Sequence, residues 1–126
     1  MKHNHNAPRY LNLLRIHLPV TAVLSIAHRL SGVLLAAAVP GLIYLLDLSL
    51  RGRDGYASAA ALFHGTGARF AVALLSWALA HHALAGVRFL LLDLRLGIAK
   101  SAARGSAWTV NLGGVLVFFL AAAALL

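Results

Sequence analysis

Residues 25 to 32 read SIAHRLSG and place a hydroxyl, an imidazole and a guanidinium at the start of a long apolar run. If the run is helical, Ser25 lies three residues before His28 and four before Arg29, so the three side chains share one face. A charged residue inside a bilayer costs several kcal/mol, so an Arg at this position indicates a functional site with a specific partner.

A second stretch, HALAGVRFLLLD at 82–93, again combines an imidazole with a guanidinium in an apolar run. His82 and Gly86 are four residues apart, which puts them on one helix face, and Arg88 follows half a turn later. A His-x-x-x-Gly spacing aims an imidazole at a bound ring and leaves room beside it, because glycine has no side chain.

A neutral imidazole deep in the bilayer, with Arg side chains nearer the interface, is typical of a b-type haem site. The imidazole ligates the iron, and the anionic propionates point outward to Arg and His donors. His82 is the first candidate ligand, His28 and His81 are weaker ones, and the second axial ligand can belong to another subunit. Haem iron held by two His serves electron transfer, because no coordination position stays open.

Structural interpretations of the same residues stay open at this point. Arg29 can extend its head to the lipid phosphates, and His28 or His82 can hydrogen-bond a neighbouring helix instead of a metal. His81 points about 100° away from His82 on a helix, which favours a structural role for it.

The elements that hold these residues follow from composition. The 126 residues are 61% hydrophobic and 11% charged, with a mean hydropathy of +0.84. Too little polar surface is available to coat a water-soluble globule, so we expect a membrane protein.

Three segments lack Asp, Glu, Lys and Arg, namely Leu30–Leu46, Phe70–Val87 and Gly105–Leu126. Each approaches or exceeds the roughly 20 apolar residues that cross a bilayer, and the first is expected to extend back through Thr21–Arg29. The sequence predicts an all-α membrane protein in which residues 1–126 form one domain, a bundle of three transmembrane helices at about 21–48, 68–93 and 105–126.

Charge placement predicts the orientation of the bundle. Basic residues are more frequent on one side of the predicted bundle than on the other. Before the first span and between the second and third lie Lys2, Arg9, Arg15, Arg95, Lys100 and Arg104. Between the first and second spans lie Arg51, Arg53 and Arg69. We therefore expect a cytoplasmic N-terminus and a periplasmic C-terminus. The net charge of +8 is then mainly a topology signal and does not indicate nucleic-acid binding. The basic side chains can also interact with anionic lipid headgroups.

Two further features narrow the class. The chain has no cysteine, which excludes thiol chemistry and iron–sulfur ligation by this chain. The polar start, Met1–Val20, has the pattern of neither a secretory signal nor an Arg-rich transit peptide, so we expect a multi-pass protein of a bacterial inner membrane.

LPVTAVLSIAHRLSGV at 18–33 and HALAGVRFLLLD at 82–93 together resemble the cytochrome b subunit of succinate dehydrogenase, the larger membrane anchor of respiratory complex II. The resemblance implies that His82 is an axial ligand of haem b and that the smaller anchor subunit supplies the other. It also implies that Ser25 and Arg29 line the ubiquinone site, with His28 and Arg88 near the haem propionates. The family often has His where this chain has Phe89. This departure leaves open whether a propionate or proton-transfer contact is lost.

The predicted function is therefore that of a membrane anchor through which electrons from succinate reach ubiquinone, with flavoprotein and iron–sulfur subunits as partners and no catalysis by this chain alone. An alternative is a fumarate reductase anchor that uses menaquinone. A non-haem structural anchor or a small transporter is a third possibility, although an ion path would call for more intramembrane carboxylates.

Overall fold

The computed structural model describes residues 18–125, which are almost entirely helical. The long helices are α1 (Val20–Ser49), α3 (Thr66–Asp93) and α4 (Lys100–Leu125), and a short α2 (Arg53–Ala61) with a single 3-10 turn at Leu62–His64 lies between α1 and α3. Each long helix is long and apolar enough to span a membrane. The predicted all-α fold with three transmembrane helices is confirmed, and the protein is a multi-pass membrane protein.

Helix α1 begins directly after Pro19, whose extended backbone forms the N-cap. Proline suits the start of a helix because its missing N–H would have no partner there. Since α1 begins at Val20, Ser25, His28 and Arg29 all lie on it, as expected. The helix also continues through Pro40. Proline has no N–H to donate, and in membrane helices neighbouring groups can satisfy the carbonyl oxygen that is left without this donor.

The connections set the directions of the helices. Between α3 and α4 the chain reverses within a few residues, with Arg95 at φ 61 and Gly97 at φ 72. This left-handed conformation favours glycine and is uncommon for other residues. The tight reversal brings the end of α3 beside the start of α4, at the end of the bundle where α1 begins; we call this the N-terminal end of the bundle.

The connection between α1 and α3 is more ordered than the sequence indicated. The sequence predicted only three helices and none between the first two, whereas α2 fills much of this connection. Asp47 and Arg51 form an ion pair just before α2, and this hydrogen bond raises the pKa of the Arg51 guanidinium.

Helix α3 is the central element, since it packs against both α1 and α4. The contact surfaces are made of small residues, with Ala78 and Ala85 of α3 and Ala107 of α4 all fully buried. Small side chains let membrane helices approach closely. Many large apolar side chains face outward, which is the surface expected where lipid or another transmembrane subunit covers the bundle.

Candidate functional site

His82 projects from α3 toward α1 and meets two oxygen atoms there. Its Nδ1 lies 3.2 Å from the backbone carbonyl oxygen of His28 and 3.3 Å from Oγ of Ser31. A carbonyl oxygen can only accept, so the proton of a neutral His82 belongs on Nδ1. Nε2 then carries the free lone pair, and it makes no hydrogen bond with any residue between 18 and 125.

The backbone of α1 passes close beneath the His82 ring at Gly32. A Cβ added to Gly32 would lie 3.0 Å from Cε1 and 3.4 Å from Nδ1 of His82. Gly32 therefore provides the space that the imidazole occupies, because a small residue lets a neighbouring helix approach closely. Gly86 differs, because a Cβ added to it would meet nothing within 4 Å.

His28 contacts the same imidazole through its own ring. The ring centroids of His28 and His82 are 4.2 Å apart with an interplanar angle of 12°, and Phe89 packs edge-on against His28 at 5.2 Å. Stacked rings lie face to face on one side of a site, whereas the two axial ligands of a haem point their nitrogens at the iron from opposite sides. This geometry leaves His28 as a neighbour of His82 and not as its counterpart across a porphyrin.

His81 faces the other way, into the contact between α3 and α4. It is fully buried, and its Nε2 lies 3.0 Å from Oδ1 of Asn111. Gly114 gives it room, since a Cβ there would lie 3.2 Å from Cβ and Cδ2 of His81. The structural role favoured for His81 by its helical spacing fits this position.

Arg88 lies on the His81 side of α3, because it follows His81 by seven residues, close to two helical turns. It is buried, its Nε donates to Oγ of Ser106 over 2.9 Å and its Nη2 donates to the carbonyl oxygen of Ala103 over 2.9 Å. Its guanidinium carbon also lies 5.6 Å from the centroid of the Phe89 ring. Two of the three guanidinium nitrogens are thus engaged at the start of α4.

Ser25 and Arg29 lie one turn apart on α1, with Ser25 half-buried and Arg29 exposed. Within residues 18–125 neither side chain takes part in a hydrogen bond or ion pair. The packing of residues 18–125 therefore leaves the hydrogen-bonding groups of both side chains without a partner.

Three cavities are lined by residues other than His82. One of about 570 Å³ is lined by apolar residues of all three long helices. One of about 530 Å³ lies beside His64 and Arg69 at the opposite end of the bundle, and one of about 410 Å³ is lined by Trp108 and Asn111 among others. The described residues also include no group of three or more His, Asp and Glu side chains that could hold a metal ion.

Sequence reasoning missed three residues of this arrangement: Ser31, Ser106 and Asn111. The available signal was polarity within an apolar span, since an intramembrane Asn or Ser usually hydrogen-bonds another helix. Ser31 also lies three residues after His28, on the same helix face as the first motif.

Comparisons with known proteins agree with these features. Residues 3–122 match the family described as succinate dehydrogenase/fumarate reductase transmembrane subunit. The chain is also 33% identical over 119 residues to the succinate dehydrogenase cytochrome b556 subunit of Coxiella burnetii (strain RSA 493 / Nine Mile phase I), an alignment that covers 94% of this chain and 95% of that protein.

Proposed function

The chain belongs to the family of succinate dehydrogenase and fumarate reductase transmembrane subunits, and from this membership we propose that it binds haem b and helps to deliver electrons from succinate to ubiquinone. It is the cytochrome b membrane anchor of such a complex, and succinate is oxidised by other subunits. The partners proposed are a flavoprotein, an iron–sulfur subunit and a smaller membrane anchor, assembled in a bacterial inner membrane.

The observation that carries the haem proposal is the state of His82. Its Nδ1 is engaged by two oxygen atoms of α1, and metal-ligating histidines typically use the second ring nitrogen in this way. Nε2 is left with its lone pair, and beside it the position of Gly86 is open. An open, mainly apolar surface next to a basic imidazole nitrogen fits a flat porphyrin.

The second axial ligand is proposed to come from the smaller anchor subunit. His28 is stacked on His82, His81 is buried against Asn111, and His64 lies beyond α2 at the other end of the bundle. The three remaining histidines, His3, His5 and His17, lie outside the described residues. A histidine on a partner helix facing His82 would complete the site.

A haem held by two histidines accepts and releases one electron without binding substrate at the iron. The side chains of this chain would bind and orient the haem. His82 would hold and orient the haem, while His28, which lies beside the His82 ring, is proposed to be near the propionates. For Arg88 the same role stays a prediction. It would use Nη1 or the second N–H of Nη2, because the N–H of Nε and one N–H of Nη2 already bond α4.

For the quinone site, Ser25 and Arg29 are proposed to donate hydrogen bonds to one quinone carbonyl oxygen. Both would stabilise the negative charge that develops on this oxygen as electrons arrive, and donors already in place stabilise such charge most effectively. The planar guanidinium fork fixes the direction of its hydrogen bonds, which an ammonium group does not. The exposure of Arg29 at the N-terminal end of the bundle suits a site completed by the iron–sulfur subunit.

The test is a purified complex containing all subunits. We expect a dithionite-reduced spectrum of the b type and succinate-dependent reduction of ubiquinone that is faster than fumarate-dependent oxidation of menaquinol. A complex whose reduced spectrum lacks the b-type bands would overturn the haem proposal, and faster fumarate reduction would favour the fumarate reductase alternative.

A further inference from the structure

Ser31 is a polar residue with no solvent exposure in the middle of the contact between α1 and α3. Buried hydroxyl groups need hydrogen-bond partners, since leaving one unpaired costs free energy. Its Oγ lies 2.8 Å from the carbonyl oxygen of His28 and 3.3 Å from Nδ1 of His82. The hydroxyl therefore contacts both the His82 imidazole on α3 and the backbone of its own helix, α1.

The polarity of these contacts follows from the groups involved. The Ser31 hydroxyl donates its proton to the His28 carbonyl, which can only accept. A lone pair of Oγ is then free to accept from the N–H at Nδ1 of His82, and the same N–H also faces the His28 carbonyl oxygen. Two acceptors at Nδ1 favour the tautomer in which Nε2 is unprotonated.

The same turn of α1 also fixes the plane of the His82 ring. Gly32 lies beneath Cε1, the ring of His28 stacks on one face at 4.2 Å, and the oxygens of Ser31 and His28 hold the Nδ1 edge. An imidazole held on three sides has little freedom to turn about its side-chain torsions.

We propose that Ser31 is a positioning residue for His82, which selects the tautomer and ring orientation in which Nε2 can ligate haem iron. This inference rests on the proposed haem function of His82. Acceptors at the second ring nitrogen raise the basicity of a ligating histidine, and loss of such a partner typically costs about 10- to 100-fold in metal affinity.

The experiment uses the intact complex and compares Ser31→Ala with Ser76→Ala. Ser76 is a matched control because, among residues 18–125, its Oγ donates only to the Val72 carbonyl oxygen on its own helix, over 2.9 Å. The first readout is the rate at which haem passes to an excess of a haem-scavenging protein in detergent. The second is the electron paramagnetic resonance spectrum of the ferric haem, which responds to the orientation of the axial imidazoles.

For Ser31→Ala we expect haem loss at least about tenfold faster than in the parent complex and shifted ferric resonances, with Ser76→Ala unchanged in both. A Ser31→Thr and Ser31→Val pair separates the hydroxyl from packing, because the two side chains have nearly the same shape. Thr should hold haem more tightly than Val. Equal haem loss from Thr and Val, or a Ser31→Ala complex that behaves like Ser76→Ala, would overturn the inference.

His82→Ala, measured in the same series, distinguishes this inference from the function on which it rests. If His82→Ala keeps the parent spectrum, the proposed ligand is wrong and the role of Ser31 falls with it. If His82→Ala loses the haem while Ser31→Ala matches the control, only the positioning role is overturned. Co-purification of all subunits together with dye-linked succinate oxidation verifies the assembly of every variant.

Discussion

His28 and His82 contact each other twice, through rings stacked at 4.2 Å and through a 3.2 Å approach of Nδ1 of His82 to the His28 carbonyl oxygen. The first contact joins side chains of α1 and α3, and the second joins a side chain to the backbone of α1. Together they make His28 a support for His82, so these neighbouring imidazoles have different roles although both lie at similar depth.

Mutations of the two adjacent histidines of α3 should have different effects on the b-type spectrum. His82→Ala should abolish the b-type spectrum of the purified complex, because it removes the imidazole with the free Nε2. His81→Ala should retain the spectrum, since His81 faces α4 and bonds Asn111 there. The reverse pattern in difference spectra would show that the ligand is His81.

Ser25 and Arg29 should affect quinone chemistry and not succinate oxidation. Arg29→Lys and Ser25→Ala should each lose most ubiquinone reduction, and a loss of about 1.4 kcal/mol of transition-state stabilisation already gives a tenfold lower rate. Lysine should fail in place of arginine because its ammonium lacks the rigid planar fork.

The control for this pair is succinate oxidation with an artificial dye acceptor, which does not need the quinone site. Both variants should keep the parent dye-linked rate. If Arg29→Lys also keeps the parent rate with ubiquinone, Arg29 only anchors the helix at the lipid interface, as its exposure would equally allow.

Gly32→Ala should weaken haem binding because the new Cβ would lie 3.0 Å from Cε1 of His82, closer than packed carbon atoms normally approach. The ring would have to move by a few tenths of an ångström, and Nε2 would move with it. Gly41→Ala on the same helix is the control, since its Cβ meets nothing within 4 Å. Haem content per complex is the measurement, and equal content in the two variants would contradict the prediction.

Gly86→Ala tests what lies beside His82 in the assembled complex. Within this chain the added Cβ meets nothing within 4 Å, so the variant chain should fold normally. If a porphyrin or a partner helix occupies this space, Gly86→Ala should lower haem content although Gly41→Ala does not. Parent haem content in Gly86→Ala would show that the space is filled by lipid.

Asn111→Leu should lower the stability of the complex and spare the haem. The substitution removes the 3.0 Å contact to Nε2 of His81 and leaves a buried imidazole without that partner. Interhelical hydrogen bonds in membranes contribute about 0.6 kcal/mol on average, so we expect a small decrease in the temperature of inactivation. Thr109→Val is the control, because Thr109 is exposed and, within the described residues, bonds only the Gly105 carbonyl on α4. A larger effect in the control would contradict this role of Asn111.

Much of the fold could be predicted because it depends on local composition. Long runs without charge must be helical in lipid, where every backbone N–H and C=O needs an internal partner. The three spans were therefore visible in the sequence. Helix α2 was missed because its nine residues, RDGYASAAA, are only weakly apolar, and a helix this short depends on its surroundings more than on its own sequence.

The sequence by itself also determined which residues cost free energy in the membrane and are therefore candidate functional residues. An imidazole or guanidinium in an apolar span is recognisable without coordinates. Only the tertiary structure decided how they are used. Adjacent residues on a helix diverge by about 100°, but the sequence does not say which neighbouring helix each one meets. Packing placed His81 against Asn111, directed Arg88 to the start of α4 and buried Ser31 against His82. These contacts join residues far apart in the chain, so their partners are set by helix rotation and depth, which depend on close packing of small residues across the whole bundle.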